Sequence, residues 1–164
     1  MKNTLCTIIA ICTSLLSYSQ LFIDLKKNEV NEYVRKNAHE KIVSIVTVSD
    51  STMFFLQKDT VQFSLDKKSY EQSHITTITL HFNTSGRCDS ETRTYTCDVC
   101  FTKPYFKILD NKKYKWKQLK AEKRKQISEY KKGLILEIPN EPLLTFKIYK
   151  FNLSKKEYDK LLSK

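Results

Sequence analysis

The residues with the most evident chemistry in this 164-residue chain are cysteines. Cys97 and Cys100 form a C-x-x-C pair in the run T-C-D-V-C-F, and Cys88 precedes them across a short polar stretch. Three chemistries suit such a set. A structural zinc site needs four ligands, and His81 would complete one with the three thiolates. A redox pair needs its first thiolate at a helix N-terminus and near cations. A structural disulfide needs only proximity.

The first two are weakened by an expected strand over residues 92 to 101, on which positions 97 and 100 point to opposite faces. No βαβ pattern surrounds the motif, as a redox pair would lead one to expect. The favoured reading is a disulfide between Cys88 and Cys100, with Cys97 as the alternative partner of Cys88. It would close a loop of roughly ten residues and contribute about 2–3 kcal/mol. Cys97 shares a face with Tyr95, Val99 and Phe101, so it is the better candidate for a buried spare thiol.

A second candidate is the basic segment holding Lys112, Lys113, Lys115, Lys117, Lys120, Lys123, Arg124 and Lys125, interleaved with Tyr114 and Trp116. Bases beside aromatic rings can hold a polyanion by charge and a sugar or base by stacking. The same pattern arises where lysines guard an edge strand against aggregation and the indole packs inward. Only four of the 29 bases are arginine, and bidentate recognition of phosphate leans on the guanidinium.

Other chemistry has little to stand on. The chain has two glycines, Gly86 and Gly133, so glycine-rich phosphate cradles are excluded. His39, His74 and His81 show no metalloprotease spacing, and neither a nucleophile elbow nor a paired-carboxylate signature is present. No catalytic residue and no cofactor is implied, although catalytic groups can converge from distant positions.

The elements that would position these residues follow from periodicity. Val30, Tyr33 and Val34 predict an amphipathic helix over residues 24 to 37. Residues 42 to 48 are β-branched on both faces and suit a strand. Strands are also expected at 53 to 56, 61 to 65, 75 to 83, 92 to 101, 105 to 109, 134 to 138 and 143 to 151, with a short alternating piece at Tyr114 and Trp116. In the strand at 75, Ile78, Leu80 and Phe82 should share the buried face.

Residues 119 to 132 are good helix formers with a thin apolar stripe of Leu119, Ile127 and Tyr130, and Gly133 stands where a left-handed cap is wanted. Ser154 and Glu157 form a capping box, with Leu153 and Tyr158 placed as a hydrophobic staple, so a helix should run from 155 to about 162. The resulting class is α+β: an antiparallel sheet of about seven short strands with an N-terminal helix, a middle basic helix and a C-terminal helix. An all-β sandwich with peripheral helices is the alternative.

The N-terminus carries an address. Lys2, the apolar run from Leu5 to Leu16, and the small residues Ser17 and Ser19 read as a signal peptide over residues 1 to 19. The run is shorter than the roughly 20 residues that span a bilayer. Cleavage before Gln20 would leave one domain, residues 20 to 164, with 28 bases against 18 acids, a net charge of +10. No later segment reads as a membrane span.

The expectation is therefore an exported protein, periplasmic or secreted, that acts by binding within the bacterial cell envelope. Its partner would be another envelope protein or an anionic polymer. An envelope hydrolase or thiol-redox enzyme is the alternative class, and binding of anionic polymers or a membrane surface through residues 112 to 125 is a third. A concave pocket with convergent polar groups would favour the second class over a flat face.

Overall fold

A computed structural model describes residues 21–38, 42–65, 68–140 and 144–163. The signal peptide expected at residues 1 to 19 and His39 lie outside the described residues. The chain runs α1 (Lys27–Asn37), β1 (Ile42–Ser49), β2 (Thr52–Leu65), β3 (Lys68–Phe82), β4 (Cys88–Tyr95), α2 (Asp98–Leu109), β5 (Lys117–Gln118), β6 (Lys125–Ile127), β7 (Leu134–Glu137), β8 (Thr145–Lys150) and α3 (Lys155–Ser163). Eight strands form one sheet in the order β1-β2-β3-β4-β8-β7-β6-β5, with every pairing antiparallel. This is an α+β architecture with one sheet at its core, in place of the two packed sheets of a sandwich.

β8 enters between β4 and β7, so the last strand joins the long N-terminal meander to the short C-terminal one. Residues aligned across the ladder, such as Met53, Leu80, Glu91, Ile148 and Leu136, share one face of the sheet. α1 packs Val30 and Val34 over Met53, Phe55, Ile78, Leu80 and Phe82 on that face. α2 packs Cys100 and Ile108 over Leu134, Leu136, Phe146 and Ile148 further along it. Tyr158 of α3 joins Leu119, Ile127 and Ile135 in a third cluster. Ile127 and Ile135 are cross-strand partners out of phase with Leu136, so α3 covers the opposite face.

The loop at Gly86 anchors the entry to α1. Gly86 has φ +70°, a left-handed conformation that suits glycine, and the Asn83 side chain accepts hydrogen bonds from the Ser85 and Arg87 amides. Arg87 in turn donates to the Asp24 carbonyl at 2.8 Å, while the Lys27 amide donates to the Gly86 carbonyl at 3.1 Å.

Three expected elements differ from the structure, and the strands expected at 53 to 56 and 61 to 65 are one, β2. The strand expected over residues 92 to 101 ends at Tyr95, and residues 98 to 109, including the strand expected at 105 to 109, form α2. Cys97 caps this helix: its sulfur accepts the Cys100 amide at 3.2 Å, and Asp98 sits in the first turn, where a carboxylate complements the helix dipole. Cys100, Phe101, Pro104, Tyr105 and Ile108 recur at helical spacing and line the buried side.

The middle basic helix expected at 119 to 132 is instead turns flanking β6. Its apolar stripe is thin, and intrinsic propensity is a weak prior that pairing with β7 and docking of Tyr158 override. The Tyr158 hydroxyl donates to the Ser128 carbonyl at 3.0 Å, and the Leu134 amide donates to the Ser128 hydroxyl at 2.9 Å. Gly133 does take a positive φ of +64°, but it closes a turn rather than a helix.

Candidate functional site

β2 and β3 stay paired from Thr52 opposite His81 to Leu65 opposite Lys68, whereas β4 accompanies β3 only as far as Tyr95 opposite Thr76. Beyond that point the β2–β3 hairpin overhangs the sheet. α2 folds back beside the overhang instead of covering it. The gap is a pocket of about 650 Å³, within the usual range for a small-molecule site. Its walls are the hairpin on one side and Cys100, Lys103, Pro104 and Lys107 of α2 on the other.

The pocket floor is polar and buried. Gln57, Thr76 and Tyr95 form one cross-strand row, and Asp59 faces His74 in the next. Gln57 donates through Nε2 to both Asp59 carboxylate oxygens, at 3.0 and 2.8 Å. His74 is 6 % exposed and Thr76 2 %, yet His74 Nδ1 and Thr76 Oγ1 have no hydrogen-bond partner among the described residues. Leaving a buried polar atom unpaired costs about 1–3 kcal/mol. Two such atoms lie two residues apart on the same strand face.

The floor continues along alternate β4 residues, from Tyr95 through Arg93, which also lines the pocket, to Glu91. Glu91 is fully buried and accepts from the Phe22 amide at 2.7 Å and from Arg93 Nε at 2.5 Å. Burial alone would lower the Arg93 pKa, but the Glu91 carboxylate and the Tyr95 phenol outweigh it and raise it. Tyr95 is pushed up to about 12, chiefly by burial, with Arg93 opposing. Burial also lowers His74, against the pull of Asp59. At neutral pH the site therefore presents an uncharged imidazole and an uncharged phenol as hydrogen-bonding groups, with their rings 6.4 Å apart.

Charge is divided across the opening. Lys103 and Lys107 stand on the helix wall, and Asp59 and Glu71 on the hairpin wall. Lys103 also donates to the Gln62 carbonyl at 3.0 Å, linking the helix to the overhanging strand.

The structure brings Cys100 to this site but pairs it differently from the sequence expectation. The disulfide joins Cys97 to Cys100, with Cα atoms 5.2 Å apart, and Cys88 is a buried free thiol. The correction follows from the helix: residues three apart lie on one side of its first turn, whereas they diverge on a strand. Cys88 begins β4 and the disulfide lies beyond its other end, roughly 20 Å away along an extended strand. There Cys88 packs with Phe82 under α1, and burial pushes its thiol pKa up.

The basic segment is laid out as loop, β5 and β6. Lys112, Lys113, Lys115, Lys117, Lys120, Lys123 and Arg124 are exposed, and Lys125 is half-buried. Tyr114 and Trp116 are half-buried against the α2 core, with their rings 5.4 Å apart and the indole donating to the Ile108 carbonyl at 3.0 Å. Lys115 pairs with Glu129 at 2.9 Å and Lys125 with Glu122 at 2.6 Å. His81 sits on the outward face, 2.8 Å from Asp89.

Sequence reasoning missed Gln57, Asp59, His74, Thr76 and Arg93 as a site. The signal was present in phase: β2 and β3 carry Met53 and Phe55, and Ile78, Leu80 and Phe82, on a face that then turns polar at Gln57 and Asp59 and at His74 and Thr76. A polar interval on an apolar strand face was read as a break between two strands, not as a floor. Compared with known proteins, the chain matches no family model, no curated protein and no solved structure.

Proposed function

We propose that this protein is exported and works by binding a small polar molecule in the pocket between the β2–β3 hairpin and α2. The observation that carries the reading is the pair of buried, unpartnered atoms His74 Nδ1 and Thr76 Oγ1 on a floor that also holds Gln57, Asp59 and Tyr95. A ligand donating to or accepting from these atoms would remove their desolvation cost on binding, which makes affinity depend on a few placed polar contacts. Cations on one wall and carboxylates on the other suit a ligand bearing both signs of charge, such as a zwitterion.

The test is a ligand-observed NMR screen of the protein lacking residues 1–19 against amino acids, short peptides, sugars, nucleotides and dicarboxylates. Binding is expected to concentrate in the zwitterionic set and to weaken roughly tenfold in Thr76→Val, the loss of one hydrogen bond to a buried group. A screen without hits, or hits indifferent to Thr76→Val and His74→Phe, would overturn the reading.

A further inference from the structure

We infer that Cys97 and Cys100 form a thiol–disulfide exchange centre, in which Cys97 is the sulfur reached by the thiolate of a cysteinyl partner. Four observations converge on it. The bond spans only two intervening residues, at the short-loop end where cross-linking constrains the unfolded chain least. A structural staple gains little there, because packing of Cys100 already holds one end of the bond in the core. Cys97 is the N-cap of a twelve-residue helix, and its sulfur already accepts the Cys100 amide, so the first-turn amides and the dipole favour negative charge on that sulfur.

Burial is asymmetric as well: Cys97 is half-buried, whereas Cys100 is 0 % exposed. Finally, Cys100 lines the pocket whose floor holds the unpartnered His74 and Thr76, so a molecule seated there lies beside the Cys100 end of the bond. In this last respect the inference rests on the ligand reading.

Among neighbouring groups, Asp98 in the first turn opposes negative charge on Cys97, whereas Lys103 reaches away to donate to the Gln62 carbonyl. From the sheet, His74 and Tyr95 face the pocket as neutral groups, and Arg93 is matched by Glu91. Pro104 has no amide hydrogen for the helical bond to the Cys100 carbonyl, so the turn carrying both sulfurs is held by one bond fewer.

The chemistry balances without a further co-reactant. A partner thiolate attacks the Cys97 sulfur in line with the disulfide; a mixed disulfide forms, the Cys97–Cys100 bond breaks, and Cys100 leaves as a thiolate that takes a proton from solvent. A second partner thiolate attacks the partner sulfur of the mixed disulfide, which releases Cys97 as a thiolate held by the first-turn amides. Two partner thiols are oxidised to one disulfide while the disulfide of the chain is reduced to two thiols. The reverse sequence restores it.

The test uses the protein lacking residues 1–19, folded and oxidised, in two arms: reduced glutathione, and a reduced unfolded polypeptide containing cysteine. The disulfide is expected to be reduced in native buffer, and iodoacetamide should then label Cys97 first, with Cys100 and Cys88 labelled only after denaturation. In Cys100→Ser, oxidised glutathione should leave a mixed disulfide on Cys97. Faster exchange in the glutathione arm identifies a small thiol as the partner, and faster exchange in the other arm a polypeptide.

A disulfide that survives both thiols until urea unfolds the chain would overturn the inference, as would labelling of Cys100 first. Because the labelling order is read on the wild-type chain, misfolding of Cys100→Ser leaves the test intact. Exchange that proceeds as expected while the ligand screen gives no hit, or hits indifferent to Thr76→Val, would sink the pocket reading alone.

Discussion

His74 shows how one side chain can report on the pocket. It is buried among Asp59, Tyr95 and Thr76, and burial holds its pKa below the usual histidine value. In the unfolded chain it takes up a proton near pH 6.5, whereas the folded chain resists until a lower pH. Between those two values the unfolded state binds more protons, so stability is full above pH 6.5 and falls as pH drops through the folded-state pKa. Urea midpoints measured between pH 7.5 and 5 should decline, and His74→Gln should flatten that decline by removing the titrating group. A variant with the same slope as wild type would place the titration elsewhere. None of this was legible beforehand, because His74 was one of three scattered histidines and its burial depends on where α2 ends up.

Among the elements, α3 was read from local chemistry and α2 was not. Ser154 and Glu157 satisfy each other and the helix start: the Ser154 amide donates to the Glu157 carboxylate at 2.8 Å, and the Glu157 amide donates to the Ser154 hydroxyl at 3.3 Å. The Ser154 hydroxyl, which donates to the Glu157 carboxylate at 2.6 Å, and after it the Ser154 amide hold the Glu157 pKa below the usual carboxylate range. Leu153 and Tyr158 pack in the same cluster, as the staple requires. Ser154→Ala should cost about 1 kcal/mol, read as a lower urea midpoint at unchanged slope.

α2 carries a weaker local signal, since its N-cap is a cysteine and Pro104 interrupts it. Val99 and Thr102 also favour strand. What selects the helix is the buried stripe of Cys100, Pro104 and Ile108 against Phe146 and Leu136, which exists only once β8 has paired with β4. Reading strands over 92 to 101 and 105 to 109 removed the helix N-terminus from the C-x-x-C motif, and with it the support that a redox pair needs.

For the molecule as a whole, the sheet fixes the site through its register. The eight strands are continuous, but β4 is shorter than the hairpin beside it, and that difference in length creates the overhang and the pocket. No described helix is long and apolar enough to cross a membrane. The protein recovered outside the cytoplasm is expected to begin at Gln20 and to carry one disulfide. Its intact mass should rise by a single alkylation when denatured without reductant, for Cys88, and by three when reduced as well. Recovery of the uncut chain in the cytoplasm with every thiol free would refute both the address and the disulfide.

The sequence by itself determined the mixed class, the antiparallel strands, the first and last helices and the buried phase of β3, because hydrophobic period and capping are local properties that survive in isolation. The Cys97–Cys100 pairing, the helix that produces it and the polar floor under the hairpin were decided by tertiary structure alone. Each depends on which strand ends first and on what packs beside it, and burial of a polar group acquires a meaning only when its neighbours from distant parts of the chain are in place.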